Sequence, residues 1–254
     1  DEKKSVILRP LDIVTTPSAM GDIVGAFQTL PGTSTVGNDG RLFVRGGDAS
    51  EVGIYIDGIR VGNAYGSTAG NVPTRTRFNP NLFKGTFFST GGYSAEYGQA
   101  LSSALALNTK DLSIRSQGDL SIMSVGGGYA HTLSSEKQSL TFSANYFDLK
   151  PYQSLVKQNF DWERAPNGWD IELSAQKKLA KGGLWKILAR TESGGMEIWQ
   201  PEPGQESRGQ LIRLRNKYSF AQTNWKNAFE NGWTLFAGAA LSSNFDDIHI
   251  DSIR

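Results

Sequence analysis

Apolar residues in the second half of the chain recur at every other position. Leu140, Phe142, Ala144 and Tyr146 alternate with Thr141, Ser143 and Asn145. Ile171, Leu173 and Ala175 alternate with Glu172, Ser174 and Gln176, and Trp233, Leu235, Ala237 and Ala239 repeat the pattern near the end. A period of two is that of β-strands with different surroundings on their two faces. The pattern predicts strands over 117–125, 128–134, 138–149, 168–179, 184–198, 211–229 and 233–247. The tight turns Ser134–Gln138, Ala180–Gly183 and Glu230–Gly232 alternate with the longer connections Lys150–Gly168 and Trp199–Gln210. Alternation alone fits either a soluble sandwich or a membrane wall with lipid on one face and a wet lumen on the other. Unequal connections favour the wall, because such barrels carry short turns on one side and long loops on the other. Tyr146, Phe147, Tyr152, Trp162, Trp169, Trp199 and Trp233 cluster near segment ends, as interfacial girdles do, although aromatics also favour strands generally.

The first 110 residues have a different texture, which sets a domain boundary near residue 111, giving domains 1–110 and 111–254. A charged start, Asp1–Lys4, leads through Val6–Leu8 and Leu11–Val14 into a first short strand. Thr16 then offers an N-cap with Pro17 at the first helical position. Met20, Ile23, Val24, Phe27 and Leu30 recur at helical spacing and Pro31-Gly32 stops them, so one helix is expected over roughly 17–30. Asn38-Asp39-Gly40 marks a hairpin turn. Leu42 and Val44, then Val52, Ile54 and Ile56, alternate as strands that end at Gly46-Gly47 and Asp57-Gly58. Residues 62–79 read as a loop carrying Tyr65, Arg75 and Arg77, and 101–107 as an apolar strand.

Composition narrows the function classes. Among 254 residues the formal charge is +1 and charged residues make up 20%, so no electrostatic pull toward nucleic acid exists. Cysteine is absent, which removes disulfides and thiolate metal sites. The 29 glycines, six Trp, eight Tyr and 13 Phe favour turns and strands over helices. No run approaches the roughly 20 apolar residues of a spanning helix, so a membrane-spanning form must be a closed barrel. The start shows no signal-peptide pattern. His131 and His249 stand alone in strand segments, Asp246-Asp247 reads as a solvated loop edge, and Gly126–Gly128 as a bend rather than a phosphate cradle. No catalytic constellation, cofactor motif or metal-ligand spacing emerges, and Asn38–Gly40 lacks the spaced acids of a calcium loop.

Five short pieces in fixed order carry a resemblance: Arg45-Gly46 with Gly47, Asp57-Gly58, Lys84-Gly85, Glu96-Tyr97-Gly98 and Thr109-Lys110, preceded by Leu30-Pro31-Gly32. In this order the chain resembles the plug domain of TonB-dependent outer-membrane receptors. One departure is Asn79–Lys84, which lacks the acidic residue common before the basic-Gly step. The resemblance implies a mixed α/β plug domain followed by the N-terminal strands of a transmembrane antiparallel β-barrel, with 22 strands in such barrels; about seven strands here are then part of a longer receptor. It implies that Arg45 and Lys84 pair with acidic residues of the barrel wall beyond residue 254, and that Tyr65, Arg75 and Arg77 are ligand-binding candidates. It also implies residence in the bacterial outer membrane, contact with outer-membrane lipid, and a TonB-type energy-coupling protein as partner. Residues 1–10 hold no convincing coupling box, which either precedes Asp1 or is absent.

Three functions remain open on sequence: a receptor and transporter that captures an extracellular nutrient and imports it by energy-coupled plug rearrangement; a plug-and-barrel subunit of an envelope complex, with a surface lipoprotein or other envelope partner and no import; or a secreted β-rich carbohydrate-binding domain or enzyme. A detergent requirement separates the last from the others.

Overall fold

The computed structural model describes residues 5–19, 21–69, 72–156, 160–179, 182–202 and 204–253. The chain divides into two compact units, Asp1–Asp111 and Leu112–Arg254.

In the first unit, β1 (Ser5–Leu8) and α1 (Pro10–Val14) precede a 3₁₀ turn at Pro17–Ala19 and α2 (Ile23–Phe27). There follow β2 (Thr33–Val36), β3 (Asp39–Val44), β4 (Val52–Ile56), β5 (Ile59–Arg60), β6 (Phe83–Ser89) and β7 (Ser103–Thr109). Strands β1, β6, β7, β4 and β5 form one sheet in that spatial order, with β4 parallel to β7, while β2 and β3 form a separate hairpin. All five residues of β4 are buried, as are Ser103–Leu107 of β7. Parallel strands covered on both faces read as continuous apolar runs for this reason. Ile13, Ile23, Val24, Phe27, Leu42, Val44, Phe83, Phe88 and Leu105 form the core, and Phe27 meets Phe88 at 5.2 Å between ring centroids.

Three local expectations are corrected here. The single helix over 17–30 is two short pieces, because Gly21 adopts φ +75° between them and Asp22, not Thr16, caps α2 by accepting from the Gly25 amide at 2.9 Å. Of the apolar stripe, Ile23, Val24 and Phe27 are buried and Leu30, beyond the end of α2, is half-buried; Met20 lies outside the described residues. Leu11–Val14 is helical rather than extended, since Pro10 presets the first turn and Asp12 accepts the Arg9 amide at 2.9 Å. The first hairpin turns at Gly37-Asn38, one residue earlier than expected, with φ +55° at Gly37 and Asp39 already paired to Val36.

The second unit is a seven-stranded antiparallel meander in which each strand pairs with its neighbours in sequence. Its strands are β8 (Gln117–Met123), β9 (Gly126–Ser134), β10 (Gln138–Asp148), β11 (Asp161–Lys178), β12 (Leu184–Glu202), β13 (Gln205–Ala228) and β14 (Thr234–Ile253). Helix α3 (Lys150–Leu155) lies between β10 and β11. The expected long loop Trp199–Gln210 is instead a strand-borne hairpin, since β12 continues to Glu202 and β13 resumes at Gln205. The ladder satisfies the backbone whatever the side chains are, so polar residues there do not end it. Lys150–Gly168 likewise shortens, with β11 starting at Asp161 and shifting register between Trp162 and Asn167. Asp246 and Asp247 sit within β14 rather than at a loop edge. Asp1–Lys4 and the turn residues Ala180 and Lys181 lie outside the described residues.

Candidate functional site

The signature pieces of the first unit make two tight turns and one clasp. Arg45 and Gly46 adopt φ 51° and 79°, and Asp57 and Gly58 adopt φ 46° and 83°. Two successive left-handed residues make a hairpin turn whose twist matches its strands, and glycine takes the second place without strain. The Asp57 carboxylate accepts the Thr109 amide at 3.1 Å and the Thr109 hydroxyl at 2.6 Å, so the two ends of the signature close on each other. Tyr97 packs its ring on Tyr55 at 5.0 Å, and the Tyr55 hydroxyl donates to the Gly98 carbonyl at 2.5 Å. Burial pushes both phenols above their ordinary pKa. A Cβ on Gly53 would stand 2.6 Å from the Tyr55 ring, which explains a glycine inside a buried strand.

Lys84 pairs with Asp111 at 2.8 Å within this unit, next to the exposed strand residue Asn108 and the buried Thr109. Gly85 continues β6, and Glu96 is exposed. Arg45 is exposed at its turn, and among the described residues no ion pair involves it. A Cβ on Gly47 would meet Glu51 Oε2 at 2.5 Å, so this position too is closely approached.

The loop over 62–79 is tied down rather than loose. Asp22, 8% exposed, accepts the Thr76 amide at 2.7 Å and the Thr76 hydroxyl at 2.8 Å while capping α2, and Arg75 approaches it at 3.9 Å. Tyr65 accepts the Leu42 amide at 3.3 Å, and burial pushes its phenol up to about 12. Arg77 is buried and donates to the Asn63 carbonyl at 3.0 Å and the Ser67 hydroxyl at 3.4 Å. Of the three ligand candidates, Arg75 alone carries a half-exposed head group; Tyr65 and Arg77 hold the shape of the loop. Sequence reasoning missed Asp22 and Thr76. An acid directly before an apolar helical stripe was the available signal, but its second partner lies 54 residues away.

The second unit carries two unlike faces. On one lie Leu120, Tyr129, Leu133, Leu140, Phe142, Tyr146, Trp169, Ile171, Leu173, Trp185, Leu235, Leu241 and Phe245, all exposed, with Leu241 at 80%. In water such a continuous apolar surface is untenable, and toward lipid it is required. The opposite face carries Asn145, Asp170, Glu172, Arg190, Glu192, Asn216 and Gln222. Arg190 there contacts Asp170 at 3.0 Å, Glu172 at 3.3 Å and Glu192 at 3.0 Å, and Asn145 donates to Asp170 at 3.0 Å. On β12 to β14 the two faces exchange polarity beyond Ser193, Lys217 and Phe245. Met196, Ile198, Ile212 and Leu214 are buried on the formerly polar face, while Glu197, Arg213, Arg215, Asp247 and His249 take the formerly apolar one. The apolar stretches Trp185–Ser193, Lys217–Trp225 and Leu235–Phe245 are each about ten residues, the length a tilted strand needs to cross a bilayer. The strands therefore continue past the membrane into water.

Among the described residues no group of three or more His, Cys, Asp or Glu is arranged to hold a metal. His131 lies on the apolar face beside Tyr129, and His249 pairs with Asp247 at 3.1 Å.

A compact α/β unit is thus followed by an antiparallel sheet greasy on one face and polar on the other, the two-faced pattern of a membrane barrel wall. Residues 13–104 match the family model for the TonB-dependent Receptor Plug Domain. The copper transporter OprC superposes with a TM-score of 0.68 over 98% of this chain and 48% of its own, at 10% identity. A mutant of the ferric enterobactin receptor PfeA from Pseudomonas aeruginosa gives 0.54 over 98% and 46%, at 14% identity. The siderophore receptor PirA from Acinetobacter baumannii gives 0.52 over 98% and 45%, at 13% identity. At such identities the fold is what is shared, and the chain spans about half the length of these structures. No curated protein sequence matches it. Residues 13–104 thus match the plug domain of TonB-dependent receptors, and the plug with the antiparallel strands after it shares the fold of these outer-membrane receptor structures.

Proposed function

We propose that this receptor captures an extracellular nutrient and imports it by plug rearrangement driven by a TonB-type energy-coupling protein. The observation that carries this reading is a separately cored unit, matched to the plug family over residues 13–104, in one chain with an antiparallel sheet that is apolar on one face and polar on the other. A movable plug needs charged contacts that separate without exposing a dry core, and the polar wall face offers them. In this reading Arg45, exposed on a rigid turn, is the plug-side charge that pairs with wall carboxylates. Lys84, held by Asp111, steadies the exit from the plug and engages the wall only if that pair opens. Arg75 presents a cation for ligand from a loop whose shape Tyr65 and Arg77 keep. Similarity to receptors for a ferric siderophore and to a copper transporter makes metal ions and their chelates the first substrates to try.

The test is uptake of radiolabelled iron chelates and copper by cells producing the full-length receptor, with and without a functional coupling protein. Accumulation that needs both the receptor and the coupling protein is expected, and Arg45→Ala is expected to lower it several-fold while surface binding persists. Accumulation indifferent to the coupling protein across the chelate panel, together with a tightly co-purifying envelope partner, would instead establish the structural-subunit alternative.

A further inference from the structure

Residues 90–102 join β6 to β7, and the middle of that connection is fastened to the sheet at several points. It leaves β6 through Gly91 and Gly92, at φ 151° and 68°, values that side chains rarely allow. A turn follows in which the Tyr97 amide donates to the Ser94 carbonyl at 3.1 Å. The next three residues are each held by a side chain. The Tyr55 hydroxyl holds the Gly98 carbonyl, the Arg60 guanidinium the side-chain oxygen of Gln99, and the Tyr93 hydroxyl the Ala100 carbonyl at 2.9 Å. The Tyr97 ring lies on that of Tyr55, and the Ala100 methyl seats in the gap left by Gly53, where a Cβ would stand 2.8 Å from it. Beyond this point the Leu101 and Ser102 amides donate to the Glu51 carbonyl at 2.9 and 3.3 Å and lead into β7.

These fastenings hold a conformation that the chain resists. Gln99 is at φ 65°, a left-handed position that is unfavourable for a residue with a side chain. The hydroxyls of Ser102 and Ser103 are buried without hydrogen-bond partners among the described residues, Ser103 at 0% exposure. Strained backbone and unpaired buried groups persist where surrounding contacts over-determine them, and they collect in segments that move. The contacts that hold this segment are lateral: two phenols, one guanidinium and one ring pair. Their release uncovers Tyr55 and Gly53 but leaves β4, β6 and β7 paired with one another. Arg45 lies at the hinge, its Nη1 3.8 Å from where a Cβ on Gly91 would be and its Nε 4.0 Å from that of Gly32.

We propose that residues 91–100 form a strap, hinged at Gly91-Gly92 and at Gln99, that swings off β4 as a unit while the sheet stays folded, and that Arg45 keeps it closed. The use of this motion rests on the import reading above, for which it names the part of the plug that rearranges. Two tyrosines and an arginine latch the strap; the strain at Gln99 and the unpaired serine hydroxyls at its root favour release.

Hydrogen–deuterium exchange of the full-length receptor in detergent, followed by mass spectrometry, tests the strap without reference to transport. Combined Tyr55→Phe and Tyr93→Phe substitution is expected to speed exchange over 93–102 by about tenfold or more, with Leu105–Leu107 of β7 unchanged, and Arg45→Ala to speed it several-fold. Equal acceleration in β7, or none in the strap, overturns the proposal. Should the double variant fail to fold, Tyr93→Phe alone, on a half-buried ring outside the strands, is read in the same way. A second measurement joins Arg60→Cys to Gln99→Cys with a short cleavable thiol crosslinker. Accumulation that depends on the coupling protein should fall by about tenfold or more while surface binding persists, and reductant should restore it; accumulation at the full rate by the crosslinked receptor overturns the proposal. If the unaltered receptor accumulates nothing, the import reading fails, and the exchange result alone upholds or overturns the strap.

Discussion

Asp57 holds a left-handed turn with its backbone and Thr109 with its carboxylate. Replacing it with Ala removes two acceptors and leaves the buried Thr109 hydroxyl and amide without them, at a cost of about 1–3 kcal/mol. Thr109→Val keeps the amide bond and should cost less; urea unfolding of both variants measures the order. Tyr65 gives a pH prediction. Its phenol is pushed up to about 12 by burial, above the unfolded value near 10. The folded state thus favours the neutral phenol, and the stability this contributes is fully present below pH 10 and lost as pH rises toward about 12. Tyr65→Phe should show a shallower loss of plug stability across that window, followed by tryptophan fluorescence. At the acid end Asp39 works oppositely, because its bonds to Arg41 hold its carboxyl below the usual range, so its contribution fades as pH falls below about 4. Of these residues, Asp57 was legible as a turn former from the glycine after it. Its bond to Thr109 was not, since nothing local links residues 52 apart.

Strand β13 shows the wall's logic in one element. Ile212, Leu214, Tyr218, Phe220 and Gln222 are buried, while Arg215, Lys217, Ser219, Ala221 and Thr223 between them are exposed. Ala221 pairs with Ala189 on one side and Leu241 on the other, at the centre of the apolar belt. Ala221→Arg should destabilise the barrel by about 2–4 kcal/mol, whereas Lys217→Arg at the belt's edge should be nearly neutral. Refolding of the full-length receptor into vesicles across a denaturant series distinguishes them. Alternation was readable because the side-chain period of a strand is local. The lengths of β12 and β13 were not, because inter-strand hydrogen bonding carries a ladder through Gln205–Gln210 and past the apolar belt. The helix over 17–30 failed for a related reason: spacing places an apolar stripe but does not reveal that Gly21 turns the chain between two pieces.

At the scale of the molecule, two units with separate cores should unfold separately. Calorimetry of the full-length receptor in detergent is expected to show two transitions, and Phe88→Ala, at a cost of about 3–5 kcal/mol in the plug core, should lower only one of them. A single transition shifted as a whole by that substitution would mean the units melt as one.

Sequence by itself determined the class of fold, because the period-two alternation, the turn glycines and the ordered signature pieces are properties of neighbouring residues. It also placed Arg45, Asp57, Tyr97 and Thr109 as positions of note. Only the tertiary structure decided which charges meet. Strand register brings Asp170, Glu172 and Glu192 around Arg190, and the folded loop brings Thr76 to Asp22. It also fixed where the apolar belt ends, since that edge is a line across several strands and exists only once they are aligned.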